Sequence, residues 1–301
     1  MITEFEISIP LGWIERAAQY YSNVFESVSA SGTEYEKVIH DCLSTKHTLE
    51  FLDFFYLLSR TQPLKPGSKV LIIGSGLGAD IITLTKVLDL EVFGVEPGGF
   101  EFNESLLLSR ELLEFNNISP FRVVQAVGEA IPFPDNHFDL VYSTSVLEHV
   151  IDPKVVLTES IRICNPGAFS FHHFPNYFSF WEGHYGIFKL PWMGKFTFGL
   201  MCKILRRSTE FLDTLNWLDT KSTSELIHSL GQVEVVGGTG EEVFLKRIER
   251  LNELEGYGLT YKILRLLRFG DKLNLTGALK YLVPLKMFYP LYITLKKRHF
   301  N

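Results

Sequence analysis

Two stretches hold the side chains best suited to move a proton near neutral pH. One is VLEHV (146–150), with His149; the other is FHHFPNYFSFWEGHYG (171–186), with His172, His173, His184 and Tyr185. An imidazole titrates in the physiological range and can take a proton from a hydroxyl or an acidic carbon. These five are the candidate catalytic groups. If 171–174 is an extended strand, His172 and His173 point to opposite faces and one of them faces inward. The aromatics Phe174, Tyr177, Phe178, Phe180 and Trp181 around them suit a lid core, a ligand wall, or both.

A second stretch, VLIIGSGLGAD (70–80), can hold a nucleotide. Four apolar residues run into Gly74, Gly76 and Gly78, a strand-to-helix turn that lets a ligand approach the backbone. Glu96 follows 18 residues after Gly78, at the end of the apolar run EVFGVE. A carboxylate there can accept hydrogen bonds from both ribose hydroxyls. The turn fits G-x-G-x-x-A, the dinucleotide pattern, because Ala79 is small. It fits the G-x-G-x-G of S-adenosylmethionine (SAM) sites equally well, so the turn alone does not choose.

The elements that must position these residues alternate along the chain. Apolar runs at 69–73, 91–96, 121–127, 138–145 and 168–174 read as strands. Helical spacing across 79–88, 101–115 and 152–163 separates them, and Asn165-Pro166-Gly167 ends the last helix. This alternation predicts an α/β fold, doubly wound and mostly parallel. QVEVVGG and LYITLKKR read as a sixth and a seventh strand, which gives a seven-stranded, Rossmann-like sheet. Residues 1–62 read as an N-terminal helical lid and 63–240 as the core. An aromatic-rich insertion on the acceptor side spans 175–218. Residues 241–301 read as a basic, apolar extension that includes the last strand.

The 301 residues carry a net charge of −6 and are 46% hydrophobic, enough for a sizeable core and without the basic excess of a nucleic-acid binder. The three cysteines form no C-x-x-C, which argues against a zinc or disulfide framework and for a reducing compartment. No signal peptide or spanning segment is read, so a cytoplasmic location is expected. Nine basic residues face one acid from Gly256 to Asn301. Within that stretch GYGLTYKILRLLRFG (256–270) has the composition of a membrane-surface helix, which suits peripheral contact with the inner face of a membrane; the preferred reading is an insertion packed on the sheet, with a final strand and a solvated KKR end.

GEAIPFPDNHFDLVYSTSVLEHV (128–150) decides between the nucleotides. IPFPD, FDLV and VLEHV, followed by IDP and RICNPGA, resemble in order the motifs of class I SAM-dependent methyltransferases, in the ubiquinone and menaquinone methyltransferase branch. The resemblance covers residues 65–175 well and 215–240 loosely. It implies SAM as cofactor. Gly74, Ser75, Gly76 and Gly78 would lie against its methionine part, Glu96 with Pro97 at the ribose, and Gly128, Glu129 and Ala130 about the adenine. Ser143 would line the methyl-donor pocket. The acid that often meets the adenine amino group is here Val127, and the second glycine after Pro166 is Ala168. In the ubiquinone O-methyltransferase group an acid three residues before Glu148 helps a Glu-His pair hold a metal. Here that position is Ser145, two ligands make a poor site, and no metal is expected.

HFPN, GHYG and LPW (173–192) also resemble bacterial methyltransferases of cell-surface sugars. The expected reaction is therefore O-methylation of a small-molecule or glycan hydroxyl. A non-catalytic SAM-fold scaffold and an NAD(P)-dependent oxidoreductase are the alternatives. The intact glycine turn with Glu96 speaks against the first, and the unexplained 128–150 motifs speak against the second. The acceptor and the oligomeric state are not legible.

Overall fold

The computed structural model describes residues 5–25, 33–99, 103–231, 233–237, 265, 268–270 and 290–298. The N-terminal part contributes α1 (Trp13–Phe25), α2 (Tyr35–Cys42) and α3 (Thr45–Ser59). The alternating core follows as β1 (Lys69–Ile73), α4 (Ala79–Leu88), β2 (Glu91–Glu96), α5 (Asn103–Phe115), β3 (Val123–Gln125), β4 (Phe138–Thr144), α6 (Pro153–Ile163) and β5 (Cys164–Phe174). The insertion holds a short hairpin, β6 (Trp181–Glu182) with β7 (Ile187–Phe188), and then α7 (Lys195–Ile204) and α8 (Glu210–Thr214). α9 (Thr220–His228), β8 (Val233–Gly237) and β9 (Leu291–Lys297) complete the order.

The main sheet runs β3-β2-β1-β4-β5-β9-β8. β1 to β5 pair in parallel, and β9 lies antiparallel to both β5 and β8. β1 reads KVLII and is buried on both faces from Val70 on, as an interior parallel strand must be. On one face α3, α4 and α5 pack over Val70, Ile72, Leu140 and Tyr142. On the other, α6 and α9 cover Leu71, Ile73, Val141 and Phe174. Asp152 caps α6 by accepting from the amides of Lys154 and Val155, with Pro153 at the first position, where a missing N–H costs nothing. β5 begins earlier than the sequence suggests. It opens at Cys164 and passes a register shift, with Gly167 at φ +81°, before AFSFHHF.

Of the segment expected as a lid, α3 lies across the sheet: Phe51 packs on Tyr142 and Phe171, and Phe55 on Phe169 and Phe171. Thr48 and Tyr142 both donate to the Asp80 carboxylate, at 2.6 and 2.7 Å, which ties α3 to the start of α4. α1 is fastened to α5 through the Trp13 indole, which donates to the Leu108 carbonyl. The insertion has its own small core of Tyr177, Tyr185, Phe198, Cys202, Leu212 and Leu215. The opposite side of α7 leaves Phe196, Leu200 and Ile204 facing solvent.

Most of the basic, apolar extension expected at 241–301 lies outside the described residues. So does most of the amphipathic stretch at 256–270. Among the described residues no helix is long and apolar enough to cross a membrane.

Candidate active site

In a sheet of this order the connections leave β1 and β4 in opposite directions, which opens a crevice at their carboxyl ends. The glycine turn after β1 and the VLEHV loop after β4 form its two walls. They touch: a Cβ on Gly74 (φ +69°) would stand 2.5 Å from Val146 Cγ2, so only glycine fits there. A Cβ on Gly76 would meet nothing within 4 Å, so the turn has open space before it. Gly78 (φ +84°) is the N-cap of α4 and packs against Leu113.

Glu96 turns back into this turn. Its Oε2 accepts from the Gly76 amide at 2.8 Å and its Oε1 from the Ser105 hydroxyl at 3.0 Å. Burial pushes its carboxyl up, while those two hydrogen bonds pull it down. A carboxylate offers about four lone-pair positions, so one on each oxygen remains for a diol. The Ser75 hydroxyl is buried in the turn and has no hydrogen-bond partner among the described residues. Pro97 follows at the half-buried rim. From Gly74 to Asp80 no Lys or Arg is present to clamp a pyrophosphate. Open glycine backbone, an acid for a ribose and an unused hydroxyl fit SAM, which carries a sulfonium and an ammonium group and no phosphate. Tyr21 reaches this end from α1, where its hydroxyl meets the Cys42 thiol near the Glu96 charge.

At the expected adenine edge Gly128 is packed against Ile73 and Val156. Glu129 is engaged locally: its Oε1 accepts from the amides of Ile151 and Asp152. Ala130 and Val127 are exposed beside it, so the apolar side chain standing in for the usual acid faces solvent.

Three expectations are corrected. Ser143 does not line a methyl-donor pocket. It is fully buried on the α6 face of β4, 2.8 Å from His172 Nδ1. His172 does not act as a base. It is fully buried, and its Nε2 meets the hydroxyls of Ser170 at 2.6 Å and Ser160 at 3.4 Å. Burial lowers its pKa to about 3. Tyr185 is an anchor in the insertion core; it is fully buried, and its hydroxyl accepts from the Leu212 amide. His173, on the other face of β5, is half-buried between Phe51 and Tyr292. The pleat separates the two histidines as expected, but the inward one is sealed by α6.

The remaining candidates meet. His149 Nε2 and His184 Nε2 are 3.2 Å apart. His184 Nδ1 is 2.8 Å from the Glu182 carboxylate, which also accepts from the Tyr185 amide. Glu148 is fully buried, meets no donor of another residue among the described residues, and lies 3.9 Å from His149 Nε2. Burial pushes Glu148 up to about 7. Partial burial, and then His184, hold the His149 imidazole below its usual range. Asn216 pins the loop: its amide donates to Glu148 O, and its side chain donates to the carbonyls of Leu147 and Val150. The sequence reading used Glu148 only as half of an incomplete pair and passed over Glu182. An acid two residues before a candidate histidine was the available signal for Glu182.

A family model described as a methyltransferase domain matches residues 71–171. A ubiquinone/menaquinone biosynthesis C-methyltransferase of Shewanella halifaxensis is 28% identical over 166 residues, 51% of this chain and 58% of that protein. An uncharacterised methyltransferase of Schizosaccharomyces pombe is 36% identical over 109 residues, 35% of this chain and 39% of the other. The chain thus spans little more than half the length of the curated relatives it matches. Among solved structures, phosphoethanolamine N-methyltransferase 2 of Haemonchus contortus, in complex with phosphomonomethylethanolamine and S-adenosylhomocysteine, shares the fold. Its TM-score is 0.50 and its identity 17%, over 96% of this chain and 58% of that one. A methyltransferase-domain model over residues 71–171, relatives named as methyltransferases, and a seven-stranded sheet with an antiparallel last strand make this chain similar to methyltransferases of this fold.

Proposed function

We propose that the chain transfers the methyl group of SAM to a hydroxyl oxygen of a small-molecule or glycan acceptor. In this reaction the acceptor oxygen forms a bond to the methyl carbon as the sulfur–carbon bond breaks. S-adenosylhomocysteine leaves, and the hydroxyl proton must be given up. The cluster of two imidazoles and two carboxylates beside the crevice carries the reading. Transfer to an amine or to an already acidic carbon asks less of such a cluster than transfer to a hydroxyl. The glycine turn and Glu96 would hold the cofactor. Calorimetric titration with SAM, S-adenosylhomocysteine and NAD, repeated on Glu96→Ala, tests the binding half. Micromolar SAM affinity that is lost in the variant and absent for NAD is expected; equal affinity for NAD would sink the reading. Methyl transfer to hydroxylated sugars against matched amines tests the acceptor half.

A membrane-presented acceptor is favoured by one feature of the insertion. Trp192, Phe196 and Ile204 are 68, 78 and 81% exposed, so α7 turns an apolar face outward where a helix on a soluble surface is polar. From Gly183 to Thr209 there is no acid, and Lys203 and Arg206 are exposed beside that face. Apolar residues flanked by basic ones match an anionic lipid surface. Flotation with anionic and with neutral vesicles decides: selective binding to the anionic set at low salt is expected, and no flotation removes this reading.

A further inference from the structure

We propose that Glu148, His149 and His184 are the protein ligands of a divalent transition-metal site. Their ligand atoms all lie within 4.8 Å of one another. The two Nε2 atoms are 3.2 Å apart. Nitrogens each bound at about 2.0–2.1 Å to a tetrahedral zinc stand about 3.3 Å apart. Glu148 Oε1 is 3.9 Å from His149 Nε2, so the carboxylate stands beside the two nitrogens as the third ligand.

Three further observations favour a cation over a plain hydrogen bond between the rings. Both oxygens of Glu148 are buried and, among the described residues, meet no donor of another residue, a costly arrangement that a cation would repay. Glu182 is 1% exposed and sits behind His184. It holds Nδ1–H and leaves the lone pair of Nε2 aimed at His149, the second-shell geometry of metal-binding histidines. The loop carrying Glu148 and His149 is pinned by three hydrogen bonds from Asn216, so the ligands are held before any ion arrives.

No third ligand is legible in the sequence, because Ser145 stands where the ubiquinone O-methyltransferase group that the chain resembles has an acid. The structure supplies one from the insertion, 35 residues beyond His149. Two imidazoles and one carboxylate suit zinc, manganese, cobalt or nickel better than magnesium, and three ligands leave a coordination position open. The role of that position rests on the proposed function: a hydroxyl acceptor bound there would lose its proton more readily, and His149 and His184 would be ligands in place of bases.

The test is direct. Full-length protein is stripped with chelator, dialysed, and titrated with Zn²⁺ by calorimetry and with Co²⁺ by visible spectroscopy. One equivalent per chain is expected, with the ligand-field bands of a low-symmetry cobalt site. His184→Gln and Glu148→Gln should weaken binding by about 100-fold or more, and Glu182→Gln by about 10–100-fold. Circular dichroism checks that each variant is folded. Equal uptake by wild type and by the His149→Gln/His184→Gln double variant overturns the site. SAM titration of the same stripped samples separates the two readings. SAM binding without specific metal uptake overturns the metal and leaves the proposed function; specific metal uptake without SAM binding does the reverse.

Discussion

Two polar clusters, each built around histidine, sit near the carboxyl ends of β4 and β5, and they are opposites. In the first, His172 has partners on both ring nitrogens, the hydroxyls of Ser143, Ser160 and Ser170. In the second, two imidazoles face each other while a buried carboxylate meets no donor of another residue among the described residues. A buried polar network whose members are all satisfied fixes structure. One with orphaned atoms costs stability and persists where something else uses it. The identity of the residue, histidine in both, says nothing of which is which.

The sharpest way to break this comparison is with acid. His172 has its folded pKa lowered to about 3 from an ordinary 6.5. Below pH 6.5 the unfolded chain takes up a proton there that the folded chain refuses, so stability falls as pH falls. That contribution is about 1.4 kcal/mol per pH unit, or roughly 3.4 kcal/mol by pH 4. Urea unfolding of wild type and His172→Phe at pH 7, 5.5 and 4 should show the lead of wild type at pH 7 closing and then reversing, a relative shift of roughly 3.4 kcal/mol; a constant gap would remove His172 from the account.

Next in size is Glu148→Gln. Turnover should fall by about 100-fold, some 2.7 kcal/mol in the barrier, while the urea midpoint holds or rises, because a buried charge is removed. Loss of stability with full turnover would reverse the roles assigned to the two clusters. His172→Phe at pH 7 should show the other pattern, a loss of about 2 kcal/mol as its serine partners are orphaned, with SAM affinity per folded molecule unchanged. The smallest effect should come from Asp152→Ala. It removes the cap of α6, the helix that carries Ser160, and should cost about 1 kcal/mol, read from the same urea curves.

The parallel core was legible because its signals are local. The glycine turn, the runs of buried apolar residues and the Asp152-Pro153 start of α6 each act within a few residues. The expected helix at 79–88 is found at Ala79–Leu88. The pairing of the last strand was legible only as a possibility, since its place between β5 and β8 is set by packing alone. Side-chain fate was the hardest. The alternation on β5 shows that His172 and His173 part, but α6 decides which face is sealed, and that is a tertiary fact. Likewise Ser143 is buried because the pleat of β4 turns it toward His172. His184 could be ranked only as a base, because its meeting with His149 depends on the insertion folding back.

The position of β9 has a consequence for the order of folding during synthesis. Among the described residues β8 pairs only with β9, which begins at residue 291 although β8 ends at 237. A ribosome adding 5–20 residues each second needs roughly 3–12 s to make the stretch from β8 through β9. For that interval β5 and β8 lack the one strand that joins them among the described residues. The glycine turn, Glu96 and the VLEHV loop are already synthesised by then, so SAM is available to bind a nascent chain whose sheet is still two strands short.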